Sequence, residues 1–240
     1  MEPISQSEQK RLVGETAIER LVKSGKIFSG MKIGLGTGST VMPAVKRLAK
    51  YIQEGFLKDI RAVSTSYQTT VACEELGIPL SNLSSKDVNG HLDLAIDGAD
   101  EISPESYLIK GGGAALLLEK IVAYNATSFV VIADESKLVK TLGTGFMLPV
   151  EIIPEARASI ILKLKEMGAK CILREGVKKA GPVVTDKGNH ILDLQWKSPV
   201  NPKELEIAIN KIVGVVENGF FTMKKPTIFV ADKAGIVKEI

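Results

Sequence analysis

The chain has 240 residues, 45% hydrophobic and 25% charged, enough to bury a substantial core as one large domain or two small ones. Its 31 Lys and Arg stand against 28 Asp and Glu for a net charge of only +3, the basic residues are scattered and aromatics are 5%, which argues against a nucleic-acid partner. Two cysteines, Cys73 and Cys171, are too few for a disulfide framework or a zinc cluster, and no apolar run reaches membrane-spanning length, so the expectation is a reduced, cytoplasmic protein that does not enter a membrane.

The first thirty residues alternate charged and apolar positions as an amphipathic helix does, without a hydrophobic signal core. MKIGLG (31–36) predicts a strand leading into a helix from about Thr40, and IRAVS (60–64) one leading into a helix from about Ser66. LDLAID (92–97) and SFVVIAD (128–134) read as buried strands, with a helical pattern between them. This rhythm predicts a parallel sheet covered on both faces, a Rossmann-like α/β domain. After about residue 145 the order becomes strand, helix, strand, strand, helix, strand, through MLPVEII, ARASIILKLKEMG, KCILRE, NHILDLQW, PKELEIAINKI and GVVENGFF. That is the split arrangement of a ferredoxin-like α+β domain. TIFVAD and GIVKEI should return to the first sheet. The expected division is therefore 1–145 with 221–240 for the large domain, and 146–220 for the inserted small one.

Three segments fall where strands end. GLGTGST (34–40) joins a strand to a helix, and its amides with the hydroxyls of Thr37, Ser39 and Thr40 suit a phosphate; a tight, capped turn is the alternative. It matches neither a Walker sequence nor the dinucleotide fingerprint. DGADEI (97–102) places Asp97 and Asp100 at the carboxyl end of its strand, the ligand side of an open α/β sheet, and ADESK (133–137) follows its own strand in the same way. Turn punctuation explains either one alone. Asp97, Asp100 and Glu101 form the only carboxylate cluster that suggests a divalent metal. His91 and His190 lack a nucleophile partner and are expected to be structural, as are Cys73, Cys171 and Trp196.

KGGGAALLLEK (110–120) is the most pointed stretch. On a helix, Glu119 has Ala115, Leu116, Val122 and Ala123 as its neighbours, so its carboxylate projects from an apolar face. Either Glu119 and Lys120 form a wet corner, or the acid is held partly dry for a purpose. Three glycines before it let backbone approach a ligand closely.

GLGTGST, DGADEI, KGGGAALLLEK and ADESK, in this order, resemble the type A family of ribose-5-phosphate isomerases, from about residue 7 to the end of the chain. The resemblance implies interconversion of ribose 5-phosphate and ribulose 5-phosphate in the non-oxidative pentose phosphate pathway, with no metal and no organic cofactor. It assigns the general base to Glu119 and the reacting end of the sugar to Asp97, Asp100 and Lys110, with Gly98, Ala99, Gly111, Gly112 and Gly113 completing that contact. It assigns the phosphate end to Thr37, Gly38, Ser39, Thr40, Lys137 and Lys10. Leu117 and Leu118 are apolar where relatives often carry polar residues. A sugar-phosphate sensor would need the phosphate loop but no base, and an amino-sugar-phosphate deaminase or coenzyme A transferase would need other catalytic groups. The partner is expected to be a phosphorylated pentose, and the subunits a homodimer or homotetramer.

Overall fold

A computed structural model of the protein describes residues 3–240. In chain order it runs α1 (Gln6–Lys23), β1 (Lys32–Leu35), α2 (Val41–Gln53), β2 (Arg61–Ser64), α3 (Tyr67–Leu76), β3 (Leu92–Asp97), β4 (Glu101–Ile102), β5 (Leu108–Ile109), α4 (Leu116–Tyr124) and β6 (Ala126–Asp134). It continues with β7 (Leu148–Ile152), α5 (Arg157–Glu166), β8 (Lys170–Leu173), β9 (His190–Gln195), α6 (Pro202–Asn210), β10 (Val215–Asn218), β11 (Phe220–Phe221), β12 (Thr227–Ala231) and β13 (Val237–Glu239). Local chemistry sets several boundaries. Ser5 caps α1 by accepting from the Glu8 amide, Ser66 caps α3 by accepting from the Thr69 amide, and Asn201 caps α6 just before Pro202. Gly77, at φ 71°, ends α3 in the left-handed conformation.

Packing divides the described chain into two units, one formed by residues up to 98 with 121–136 and 226–240, the other by 99–120 and 137–225. The first unit holds a six-stranded sheet in the order β13-β12-β6-β3-β1-β2. All its pairings are parallel except β12 with β13, so the expected parallel sheet is mixed at one edge. TIFVAD and GIVKEI do return to it. Ile33 and Leu35 of β1 point into a core shared with Val13, Ala17 and Ile18 of α1 and Val45 and Leu48 of α2. Gly34 points the other way, where any added Cβ would collide with Val122 of α4, so this glycine lets the helix lie close to the sheet.

The second unit holds a four-stranded antiparallel sheet in the order β10-β7-β9-β8, reached through β7-α5-β8-β9-α6-β10. Leu148, Val150, Ile152, Leu192 and Leu194 pack there against Ile160 and Leu164 of α5 and Ile209 of α6. Unlike the single strand expected from GVVENGFF, the chain divides at Gly219. Its first half pairs with β7, while Phe220 and Phe221 pair with β5 in a separate three-stranded sheet, β11-β5-β4. A Cβ at Gly219 would strike the Lys110 carbonyl and lie 2.8 Å from Pro149 Cδ, so only glycine fits at the switch. The β4–β5 hairpin was not expected. Through its pairing with β11, and through bonds to 137–145 such as the Val139 amide to the Ile102 carbonyl at 2.9 Å, residues 99–120, 137–145 and 221–225 pack with the second unit, where the division at 145 and 221 had them in the first.

Glu151 of β7 is buried, and its Oε1 accepts from Thr185 Oγ1 at 2.9 Å and Asn189 Nδ2 at 2.8 Å. Desolvation outweighs these bonds and pushes its carboxyl above the usual range. A raised folded-state pKa gives stability that is complete below the unfolded value and is lost as pH rises through the folded one. Glu151→Gln retains both acceptor bonds without the charge. Its urea midpoint should therefore gain on the parent's as pH rises from the ordinary glutamate range toward neutrality; parallel profiles would contradict this.

Candidate active site

In the first unit the GTGST turn is built around Asp97. This carboxylate, 3% exposed at the end of β3, accepts through Oδ1 from the Thr37 amide at 3.1 Å and the Gly98 amide at 2.7 Å. A Cβ at Gly36 would collide with Asp97, so the glycine is what allows the acid to sit beneath the turn. Gly38 has φ 106°, and its amide donates to Gln68 Oε1 at 3.0 Å. Thr37 Oγ1 donates to Ser66 Oγ at 2.7 Å and shares a 2.7 Å hydrogen bond with Thr65 Oγ1, while Thr69 Oγ1 donates to the Gly36 carbonyl at 2.5 Å. The hydroxyl of Thr37 is thus turned into the protein. Ser39 is exposed and Thr40, the N-cap of α2, makes no side-chain capping bond, leaving those two hydroxyls at the turn's outer edge. Lys10 of α1 donates to Ser39 Oγ at 3.3 Å, and both line a groove of about 760 Å³ with Lys46 and Arg47. Sequence reasoning missed Thr65, Ser66, Gln68 and Thr69. Their signal was present in the run TSYQTT directly after β2, which was read only as the start of a helix from about Ser66.

The second unit gathers the other candidates. Asp100 Oδ2 accepts from the Gly112 amide at 2.8 Å, and a Cβ at Gly112 would lie 2.6 Å from Asp100 Oδ1. Gly111 has φ 104° and Ala114 φ 57°, with the Ala114 amide closing the turn on the Gly111 carbonyl at 3.0 Å. Lys110 leaves this turn 2% exposed, and its Nζ lies 3.2 Å from Glu119 Oε2. Glu119 occupies the first turn of α4 and is 4% exposed. Desolvation opposes its charge, whereas the ammonium and the amino end of the helix favour it. Such an acid is held in one position, shielded from bulk water, beside a cation that can follow charge as it moves to a substrate.

The wet-corner reading of Glu119 and Lys120 is overturned. Lys120 is 4% exposed, with Nζ 3.2 Å from Glu206 Oε1, 2.8 Å from Glu217 Oε1 and 2.8 Å from the Asn218 carbonyl. Glu101 is committed as well: its carboxylate accepts from the amides of Gly143 (2.6 Å), Gly145 (2.9 Å) and Phe146 (2.7 Å), and so orders the 143–146 loop. Among the described residues no group of three or more His, Cys, Asp or Glu is placed to hold a metal. Lys137 ends the 3-10 turn that follows β6. His91 bonds Thr127 at 2.9 Å on the surface, and Trp196 donates to the Met167 carbonyl at 3.1 Å beside the second core. Cys73 is fully buried, with its thiol pushed up to about 11 by desolvation, and Cys171 is half-buried. Trp196 and the two thiols thus pack within the protein, as expected of them.

Comparison with known proteins meets this geometry. The family described as ribose 5-phosphate isomerase A (phosphoriboisomerase A) matches residues 61–235. The ribose-5-phosphate isomerase A of Treponema denticola is 59% identical over 236 residues, covering 98% of this chain and 99% of that protein. A solved D-ribose-5-phosphate isomerase in complex with phospho-erythronic acid superimposes with a TM-score of 0.91 at 40% identity, covering 99% of each chain. The ribose 5-phosphate isomerase A of Methanocaldococcus jannaschii does so with a TM-score of 0.89 at 42% identity, covering 98% of this chain and 99% of that one. The chain belongs to the ribose 5-phosphate isomerase A family.

Proposed function

We propose that the protein interconverts ribose 5-phosphate and ribulose 5-phosphate, in the pentose phosphate pathway, by a proton shuttle on Glu119. Family membership supports the reaction, and the buried Glu119–Lys110 pair, whose partners lie on either side of a triple-glycine turn, is the observation that carries the mechanism. Aldose and ketose differ by a proton moved between adjacent carbons and another moved between their oxygens. One base that takes the first proton from its carbon, leaving a planar enediolate, and returns it to the neighbouring carbon therefore suffices. Glu119 is that base. Lys110 and the amides of Gly111 and Gly113 supply donors for the enediolate oxygen, while the Gly112 amide is held by Asp100. Asp97 assists ring opening, and Gly98, Ala99 and Asp100 complete the contacts with the sugar. Ser39 and Thr40 take the phosphate with Lys10 and Lys137, on a turn that Thr37 and Gly38 shape through their amides' bonds to Asp97 and Gln68, and a phosphate so held restricts the motion of the sugar attached to it. Leu117 and Leu118 add no polar contact.

No metal is assigned a role. Glu101 spends its carboxylate on three loop amides, Asp97 accepts from the Thr37 and Gly98 amides, and Asp100 accepts from the Gly112 amide. We read the second unit's four-stranded sheet as ferredoxin-like, supported by the strand order β10-β7-β9-β8. Its exposed apolar residues Leu162, Ile172 and Val184 are candidates for contact between subunits of a homodimer or homotetramer. Among the described residues no helix is long and apolar enough to cross a membrane, which is consistent with work in the cytoplasm.

The deciding assay supplies ribose 5-phosphate in the presence of a chelator and follows ribulose 5-phosphate. Formation at an enzymatic rate is expected; none, with or without added divalent ions, would reject the reading. Ser39→Ala should raise KM by roughly tenfold with kcat nearly unchanged, because a phosphate contact is made equally in ground and transition states. Ribose itself should be a poor substrate. Equal kcat/KM for ribose and ribose 5-phosphate would contradict the assignment of this loop.

A further inference from the structure

We infer that Arg174 and Asp193 are positioning residues for the isomerisation: they set the peptide planes of the Gly111–Gly113 turn so that the Gly112 N–H faces Asp100 and the Gly113 N–H faces the developing enediolate. This rests on the function proposed above. Arg174 follows β8, and Ile172 stands opposite Asp193 in β9, so Arg174 and Asp193 are diagonal neighbours on one face of the antiparallel pair. The guanidinium holds the carboxylate as a two-pronged fork, Nε to Oδ2 at 2.9 Å and Nη2 to Oδ1 at 2.5 Å. Its remaining arm, Nη1, donates to the Gly111 carbonyl at 3.0 Å and the Gly112 carbonyl at 3.1 Å.

A peptide unit is planar and trans, so a carbonyl and the N–H that follows it point in opposite directions. Holding the Gly111 and Gly112 carbonyls on Arg174 therefore aims the N–H groups of Gly112 and Gly113 away from it. The Gly112 amide shows this aim, donating to Asp100 Oδ2 on the far side. Glycine has no torsional preference of its own to keep these planes still, and a side chain at Gly112 would strike Asp100, so beyond the Ala114 amide's bond to the Gly111 carbonyl stiffness has to come from outside the turn. Arg174 supplies it with a planar group, and Asp193 fixes the orientation of that group. The cation also polarises both carbonyls, which makes the N–H groups of the same peptides better donors.

Arg174→Lys and Asp193→Asn test this. A lysine keeps the charge but cannot hold the carboxylate in a fork and two carbonyls at once. Each folded variant should lose roughly tenfold to hundredfold in kcat, less than outright removal of an oxyanion donor, with KM for ribose 5-phosphate changed by under about threefold. Phospho-erythronate, whose carboxylate takes the place of the enediolate oxygens, should bind weaker by the same factor as kcat falls, while inorganic phosphate binds as to the parent. A purely structural clamp would lower the melting temperature and leave that ratio of affinities alone. Parental kcat in both folded variants, or equal weakening of phospho-erythronate and phosphate, overturns the inference. If Arg174→Lys fails to fold, the near-isosteric Asp193→Asn decides by the same measurements. An inactive parent would instead refute the isomerase reading, and this inference with it.

Discussion

Glu119→Gln should lower turnover by roughly a hundredfold to ten-thousandfold, the range for loss of a general base. The substitution keeps the side chain's shape and an oxygen facing Lys110, so substrate affinity should survive. It is not neutral for folding. The Lys110 ammonium and Glu119 carboxylate are 3% and 5% exposed, and replacing the charge leaves the ammonium with an amide where it had an ion. A loss of about 2–4 kcal/mol is expected, near the lower end of what breaking a buried pair costs. Turnover must therefore be measured per folded molecule, at a temperature well below the variant's transition. Exchange of the substrate's carbon-bound proton with deuterium from solvent provides the paired measurement, since it reports proton abstraction even when no product accumulates. A folded variant that isomerises and exchanges near the parent rate would remove Glu119 from the role and turn attention to Asp97 and Asp100.

What could be read from the sequence and what could not divides along the range of the interactions. LDLAID and SFVVIAD are apolar runs whose burial on both faces is encoded within each segment, and they became β3 and most of β6. The GTGST turn was readable because its glycines and hydroxyl residues have local backbone uses. GVVENGFF looked continuous because nothing in its own residues shows that the Lys110 carbonyl and Pro149 close on Gly219. Arg174 carried no signal at all: its meaning depends on the β8–β9 register and on carbonyls more than sixty positions earlier in the chain. The pairing of Glu119 with Lys110 lay between these cases. Both residues were singled out within one eleven-residue stretch, yet only the turn geometry of Gly111 and Ala114 folds one back upon the other.

Lys120, next to the proposed base, was open to a solvent-exposed reading for the same reason, and it is where the largest stability effect is expected. Its ammonium fills a closed acidic pocket made by Glu206, Glu217 and the Asn218 carbonyl, with the Phe221 ring centroid 4.9 Å away. Glu206 is 1% exposed, and its other oxygen accepts from the Thr222 amide at 2.9 Å and the Thr222 hydroxyl at 2.6 Å. Lys120→Met preserves the aliphatic stem and deletes the cation, stranding a buried carboxylate whose hydrogen bonds offset only part of its lost hydration. The expected cost is about 3–5 kcal/mol. Glu217, with 16% of its side chain exposed, can turn toward water, so the penalty resides chiefly at Glu206. Adding Glu206→Gln to Lys120→Met should recover most of the loss, because a neutral amide still accepts from Thr222 and no longer needs a counter-charge. Urea midpoints of the parent, both single variants and the double variant, compared at unchanged slope, measure the coupling directly. Additive losses in the double variant would show that the ammonium is placed by packing alone, and that its pairing with Glu206 does not hold it.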